Sequence, residues 1–174
     1  MPLGSSTKRY ETPNHPFQGE RISAEHGLVD QYGLSNKEEL WRAQSRLRDF
    51  RREARSLLGQ TEPDAAAQRA RDLFLARLRR IGLMGEDDGL GDVLALEVTD
   101  ILERRLQTVA YRQGLGNTAD QARQFIVHGH VTVRDARVTR PGYTVDTAEE
   151  DHIEFDESSP LADDLHPERA GEQE

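Results

Sequence analysis

Between Asp100 and Val145 the chain reads DILERRLQTVAYRQGLGNTADQARQFIVHGHVTVRDARVTRPGYTV, and its periodicity changes from helical to extended on the way. Asp100 is placed to cap a helix, with Glu103 at N3. Leu102, Leu106, Val109 and Ala110 form the apolar face of that helix, and Gly114 closes it. Thr118-Ala119-Asp120-Gln121 has the form of a capping box. It opens a second helix that buries Ala122, Phe125 and Ile126 and stops at Gly129. Period-two patterning then takes over. Strands are expected at Val131-Thr132-Val133, Arg137-Val138-Thr139, Tyr143-Thr144-Val145 and His152-Ile153-Glu154-Phe155, with turns at 134–136 and at Pro141-Gly142. Two helices followed by short strands predict a compact module over 98–155.

Upstream the pattern is helical throughout. Ser35-Asn36-Lys37-Glu38 reads as another capping box, with Ser35 at the N-cap. Leu40, Ala43, Leu47, Phe50, Ala54 and Leu57 follow at alternating spacings of three and four, and Gly59 stops the stripe. A further helix is expected after Thr61, with Pro63 in its first turn. Its stripe is Ala66, Ala70, Leu73, Phe74, Leu78 and Ile81, ending at Gly82. Residues 20–32 suggest a short helix, 84–91 (MGEDDGLG) a loop, and 92–96 a helical turn. The predicted class is therefore α+β, mainly α. It has an extended arm over 1–19, a helical region over 20–97, the two-helix, short-strand module, and an acidic tail over 156–174 that is expected to be disordered.

The chain has 174 residues with 32 acids against 23 lysines and arginines, a net charge of -9. Taken as a whole, that balance opposes nucleic acid, since a phosphate backbone repels a polyanion. The charge is divided, however. Residues 42–80 carry 11 arginines against 5 acids, and 98–143 carry 7 against 4. Residues 146–174 carry 12 acids against Arg169 alone. Lys8 and Lys37 are the only lysines, so the cations are almost all arginine, whose planar fork suits phosphate and stacks on bases. Few lysines and many acids also fit a protein that works in high salt. At roughly 1 M salt the Debye length is about 3 Å, and net charge then acts weakly beyond contact.

Other chemistries find little support. With no cysteine there is no disulfide framework and no Cys-ligated zinc. No run of 18 apolar residues is present, so no membrane partner is expected. His128 and His130 lack further ligands nearby in sequence, and no phosphate-binding glycine loop or nucleophile elbow appears. No cofactor, no metal, no catalytic residue and no small-molecule substrate are expected.

The run over 100–145, and QARQFIVHGHVTV (121–133) most of all, resembles the RNA-binding module of the S-four type. That module serves ribosomal proteins, some pseudouridine synthases, a tRNA synthetase and a heat-shock protein. KRYETPNHP (8–16), YGLSNKEELWRAQSRLR (32–48) and DVLALEVTDILERRLQTV (92–109) resemble the archaeal and eukaryotic members of the small-subunit ribosomal S-four family. The similarity covers roughly 1–155, and the acidic composition points to a salt-loving archaeal version. The resemblance implies a structural protein of the small ribosomal subunit, in the cytoplasm, bound directly to 16S ribosomal RNA. It further implies early assembly of the subunit body, a place beside the protein S-five and other small-subunit proteins, and an influence on translational accuracy. Bacterial relatives often hold a Cys-ligated zinc, which this chain cannot. Many relatives also have a basic residue after the capping Ser/Thr of the second module helix, where this chain has Ala119-Asp120.

The residues agree in direction. Arg104, Arg105, Arg112 and Arg123 on the module helices, with Arg123 expected on the exposed side, join His128 and His130 at the helix-to-strand turn and Arg134, Arg137 and Arg140 at the hairpin. Together they predict a basic surface that reads RNA by shape and 2′-hydroxyls. Arg42, Arg46, Arg48, Arg51, Arg52 and Arg55 occupy the outer faces of the 36–58 helix, and the last five of these are candidates for a second RNA surface. Lys8, Arg9 and Tyr10 are candidates on the arm. An RNA-modifying enzyme, or another RNA-binding factor, built on the same module is the alternative. The enzyme is disfavoured because the roughly 95 residues before the module are mostly charged helix and leave no room for a catalytic sheet domain.

Overall fold

The longest helix, α2 (Lys37–Leu58), buries Leu40, Ala43, Leu47, Phe50, Ala54 and Leu57, the whole of the stripe read from the sequence. Its cap sits one residue later than expected. The Asn36 side chain accepts from the Glu39 N–H at 3.1 Å, while the Ser35 hydroxyl donates to the Glu39 carboxylate. The model is computed, and it describes residues 8–60, 64–163 and 166–169. The first seven residues of the expected arm, the predicted helix start at Thr61 and Pro63, and tail residues 164–165 and 170–174 lie outside them.

Before α2 runs α1 (Gly19–Gln31), and after it α3 (Ala65–Ile81). Asp64 caps α3 by accepting from the Ala67 N–H at 2.7 Å, and Gly82 ends it at φ 80°, a left-handed conformation that glycine adopts without strain. The predicted stripe of α3 holds only in part. Phe74, Leu78 and Ile81 are buried, but Leu73 is 72% exposed and Ala66 and Ala70 face solvent. Phe74 and Leu78, one turn apart, set the face that meets α2, with the Phe50 and Phe74 rings edge-on at 6.4 Å. Leu73 lies about 100° round the helix from Phe74 and misses that contact. A 3₁₀ turn at Asp92–Ala95 buries Val93 and completes this first core.

The single helix expected after Asp100 is two. In α4 (Val98–Glu103) Glu97 is the cap and Asp100 the N3 partner, and α5 (Leu106–Arg112) starts afresh after Arg104-Arg105. The break is stabilised from outside the helix. The Leu106 and Gln107 N–H groups donate to the Tyr143 and Pro141 carbonyls at 2.7 and 3.2 Å, and the Val145 N–H donates to the Arg104 carbonyl at 3.0 Å. Residues 143–145, expected as a strand of the sheet, instead dock on this break, where the Pro141 and Tyr143 carbonyls accept from first-turn N–H groups that have no partner within the helix.

Thr118 caps α6 (Ala119–Val127) as predicted, accepting from the Gln121 N–H at 3.0 Å, and Ala122, Phe125 and Ile126 are buried. The sheet is antiparallel with order β2-β1-β3: β1 is Val131–Val133, β2 Ala136–Arg137 and β3 Ile153–Phe155. Arg134 and Asp135 turn the β1–β2 hairpin at φ 48° and 65°, the paired positive angles that match strand twist. A short helix, α7 (Thr147–Glu150), enters between 145 and β3 and was not foreseen.

The second core joins Leu106, Val109, Ala110, Phe125, Ile126, Val131, Val133, Val145 and Ile153. Leu161 belongs to it as well, 4% exposed on a 3₁₀ turn at Pro160–Ala162. The expectation of little order beyond Phe155 therefore does not describe 156–163. Composition marked that segment as solvated, but one leucine and a set of polar contacts dock it on the module.

Candidate nucleic-acid interface

Where the helical region meets the module there is a cleft of about 610 Å³. Arg9 of the arm, Arg42 and Arg46 of α2, Arg105 at the α4–α5 break and Arg140 line it, with Pro141, Gly142 and Tyr143. Glu39 is the one acid in the lining, and its carboxylate is already held by Arg105 and Arg123 at 2.6 Å each. The cleft is thus strongly cationic in a chain of net charge -9.

The arm lies along α2. The Glu11 N–H donates to Ser45 Oγ at 3.0 Å, and Arg48 pairs with Glu11 at 3.0 Å. The Tyr10 ring sits 6.0 Å from the Trp41 ring, with Lys8 and Arg42 at 6.0 and 5.8 Å. Arg46 crosses the junction and donates to Thr144 Oγ1 at 2.6 Å. Arg51 turns inward and donates to the Leu96 carbonyl. Arg52 pairs with Asp49 at 3.2 Å on the surface, and Arg55 is exposed with no ion pair among the described residues.

Several module residues face away from solvent. Arg105 is 9% exposed, and burial lowers its pKa against the opposing pull of Glu39. Arg123 was expected on an exposed side. It donates instead to both Glu39 oxygens, to Gln107 Oε1 and to Ser35 Oγ. Burial raises the pKa of Glu39, but the hydrogen bond from Arg123 and the two guanidinium charges outweigh it and hold the carboxyl below its usual range. Arg104 pairs with Glu150 at 2.9 Å and donates to the Val145 carbonyl. These three arginines form packing contacts within the fold.

Arg112 is exposed and pairs with Glu103 at 3.0 Å. Arg134 donates to the Ala148 carbonyl at 3.1 Å. Arg137 is held by Asp156 at 2.8 Å, and His130 Nδ1 lies 2.9 Å from Ser159 Oγ, so the segment after β3 covers two of the predicted contacts. His128 is exposed beside His130, and Arg140 is exposed at the mouth of the cleft. Arg42, Pro141, Gly142 and Tyr143 were missing from the predicted site. Arg42 stands one turn before Arg46, a spacing that puts both on one helix face and marks it in the sequence. Nothing local marks Tyr143, which the loop at the α4–α5 break brings in.

Residues 104–153 match the S4 domain. Over 171 residues the chain is 70% identical to the small ribosomal subunit protein uS4 of Natronomonas pharaonis, covering 98% of each. The chain belongs to the uS4 family. The uS4 protein of Haloarcula marismortui is 64% identical over 175 residues and the full length of both chains. That of Methanococcus maripaludis is 49% identical over 162 residues, 93% of this chain and 90% of its own. The first two relatives come from halophilic archaea, in keeping with the acid-rich, lysine-poor composition. All three uS4 names are those of ribosomal proteins and not of enzymes.

Proposed function

We propose that this chain is a structural constituent of the small ribosomal subunit in the cytoplasm, that it binds 16S ribosomal RNA directly, and that the arginine-lined cleft is where the RNA backbone enters. The convergence of Arg9, Arg42, Arg46 and Arg140 around a single carboxylate, already neutralised by Arg105 and Arg123, carries this reading. Arginine forks make short, paired hydrogen bonds to phosphate, which act at contact distance and survive the screening of concentrated salt. Exposed Lys8, Arg52, Arg55, Arg112, Arg134 and His128, with half-buried Tyr10, extend the surface along the arm, α2 and the module. Membership of the uS4 family supports the finer reading: early binding that nucleates the subunit body, contact with the neighbouring protein S-five, and an influence on translational accuracy.

The test is equilibrium binding of the full chain to 16S ribosomal RNA across a salt series. The double variant Arg42→Glu/Arg140→Glu removes two exposed cleft cations, of which Arg42 makes only surface contacts, with Glu38 at 3.6 Å and with the Tyr10 ring. It should lose at least about tenfold in affinity and flatten the log–log salt dependence by roughly one unit for each contact removed. Native affinity in the double variant would reject the cleft as the RNA site.

A further inference from the structure

An acid in a cationic cleft weakens its attraction for phosphate, so the position of Glu39 calls for a reason. Its Oε1 accepts from Arg123 Nη2 at 2.6 Å and from Ser35 Oγ at 3.1 Å. Its Oε2 accepts from Arg105 Nη2 at 2.6 Å and Arg123 Nη1 at 3.1 Å. Both guanidiniums come from the module, whereas Glu39 and Ser35 belong to the helical region. The three side chains are 15%, 11% and 22% exposed for Glu39, Arg105 and Arg123, so little water competes for these bonds.

The clamp is braced on the module side. Arg123 Nη1 also donates to Gln107 Oε1, and Gln107 Nε2 donates to the carbonyls of Tyr32, Gly33 and Ala119. Gln107 is fully buried, and it ties the end of α1, the start of α6 and the start of α5 to one another. Arg105 is also the residue before the first turn of α5, where the hairpin carbonyls dock. Moving Arg105 therefore moves the wall that carries Arg140, Pro141 and Gly142 relative to Arg42 and Arg46 on α2.

We propose that Glu39 is a positioning residue for RNA binding: by clamping Arg105 and Arg123 across the junction, it sets the module against α2 so that Arg42, Arg46 and Arg140 meet the same RNA strand. The inference rests on the RNA-binding reading of the cleft. It reverses the sign expected from charge alone. Removing one negative charge from a cationic cleft should tighten phosphate binding by Coulomb attraction, whereas loss of a clamp should weaken it.

The experiment uses the full chain and 16S ribosomal RNA, with circular dichroism and melting curves recorded so that binding is compared where every protein is folded. Glu39→Gln keeps the shape of the side chain and removes its charge. It should bind about tenfold more weakly than the native chain, with little change in salt slope, because the cleft arginines all remain and the loss lies in bringing them into register. Arg123→Glu should weaken binding at least as much. The exchange Glu39→Arg/Arg123→Glu, which restores an ion pair across the junction, should return to within about threefold of native affinity.

Equal or tighter binding by Glu39→Gln would overturn the clamp. An exchange variant that folds but binds as weakly as Arg123→Glu would also overturn it, because Arg123 would then be touching RNA itself. Should Arg123→Glu fail to fold, the recovery or loss of binding in the exchange variant decides together with Glu39→Gln. A native chain that does not bind 16S ribosomal RNA overturns the RNA reading and this inference with it. A native chain that binds, beside variants that bind equally well, overturns the clamp alone.

Discussion

Arg105 and Arg140 look alike in sequence and do opposite things in the fold: one is buried on a carboxylate, the other stands at the mouth of a cleft. Reversing Arg104, Arg105 or Arg123 would consequently test packing before it tested RNA, since each takes a partner from a carboxylate and sets a like charge beside it. The same holds for Asp156. Hydrogen bonds from Ser158 and from Arg137 bring its carboxyl down to about 2. A folded pKa below the unfolded value of roughly 3.9 contributes stability that is present above the unfolded pKa and is lost as pH falls through the folded one. Acid unfolding should thus steepen between about pH 4 and pH 2, and Asp156→Asn should flatten that part of a stability-versus-pH curve. Gly33 provides a backbone case. It has φ 56°, and an added Cβ would lie 2.9 Å from Ala119 Cβ and from Gln107 Nε2. Gly33→Ala should destabilise the chain by more than about 1 kcal/mol in urea unfolding, through the strained angle and the displaced glutamine together.

At the scale of elements, the parts with strong local signals formed as the sequence implied. The α2 stripe, the Thr118 cap and the stops at Gly82, Gly114 and Gly129 depend on neighbours within a turn or two. Thr118→Ala should accordingly cost about 1 kcal/mol in stability, as loss of a cap usually does. The parts that differed depend on distant partners. The break at Arg104-Arg105 exists because the Pro141 and Tyr143 carbonyls can serve the new helix start better than continued helix would. The segment after β3 is a second case. Its acids suggested disorder, but Leu161 fills the module core and Ser159 and Asp156 engage His130 and Arg137. Leu161→Ala should lower stability by about 2–5 kcal/mol in denaturant unfolding, with the cooperative transition retained. A cost near zero would mean that the segment is only loosely attached.

For the molecule as a whole, electrostatics are organised by region. The acids gather after residue 146, while the cleft between the helical region and the module gathers arginines. Excess negative charge repels itself most at low ionic strength. The melting temperature should therefore rise between 0.1 M and molar salt, and a flat melting curve across that range would contradict salt adaptation. RNA affinity should fall with salt over the same range, and what survives at molar salt should depend on the cleft arginines. The mainly helical α+β class and the clustering of arginines on the helices and the module were legible in the sequence. The cleft was not, because its walls come from residues near 9, 42, 105 and 140, which no local pattern connects.

The sequence by itself determined the α2 stripe, the Thr118 cap, the stops at Gly82, Gly114 and Gly129, and the unequal division of charge. All of these follow from periodicity and short-range hydrogen bonding between near neighbours. Only the tertiary structure decided which arginines are spent on carboxylates and which stand open in the cleft. The direction of a long side chain is set by the acid that comes to lie beside it. For Arg105 and Arg123 that acid is Glu39, more than sixty residues away along the chain.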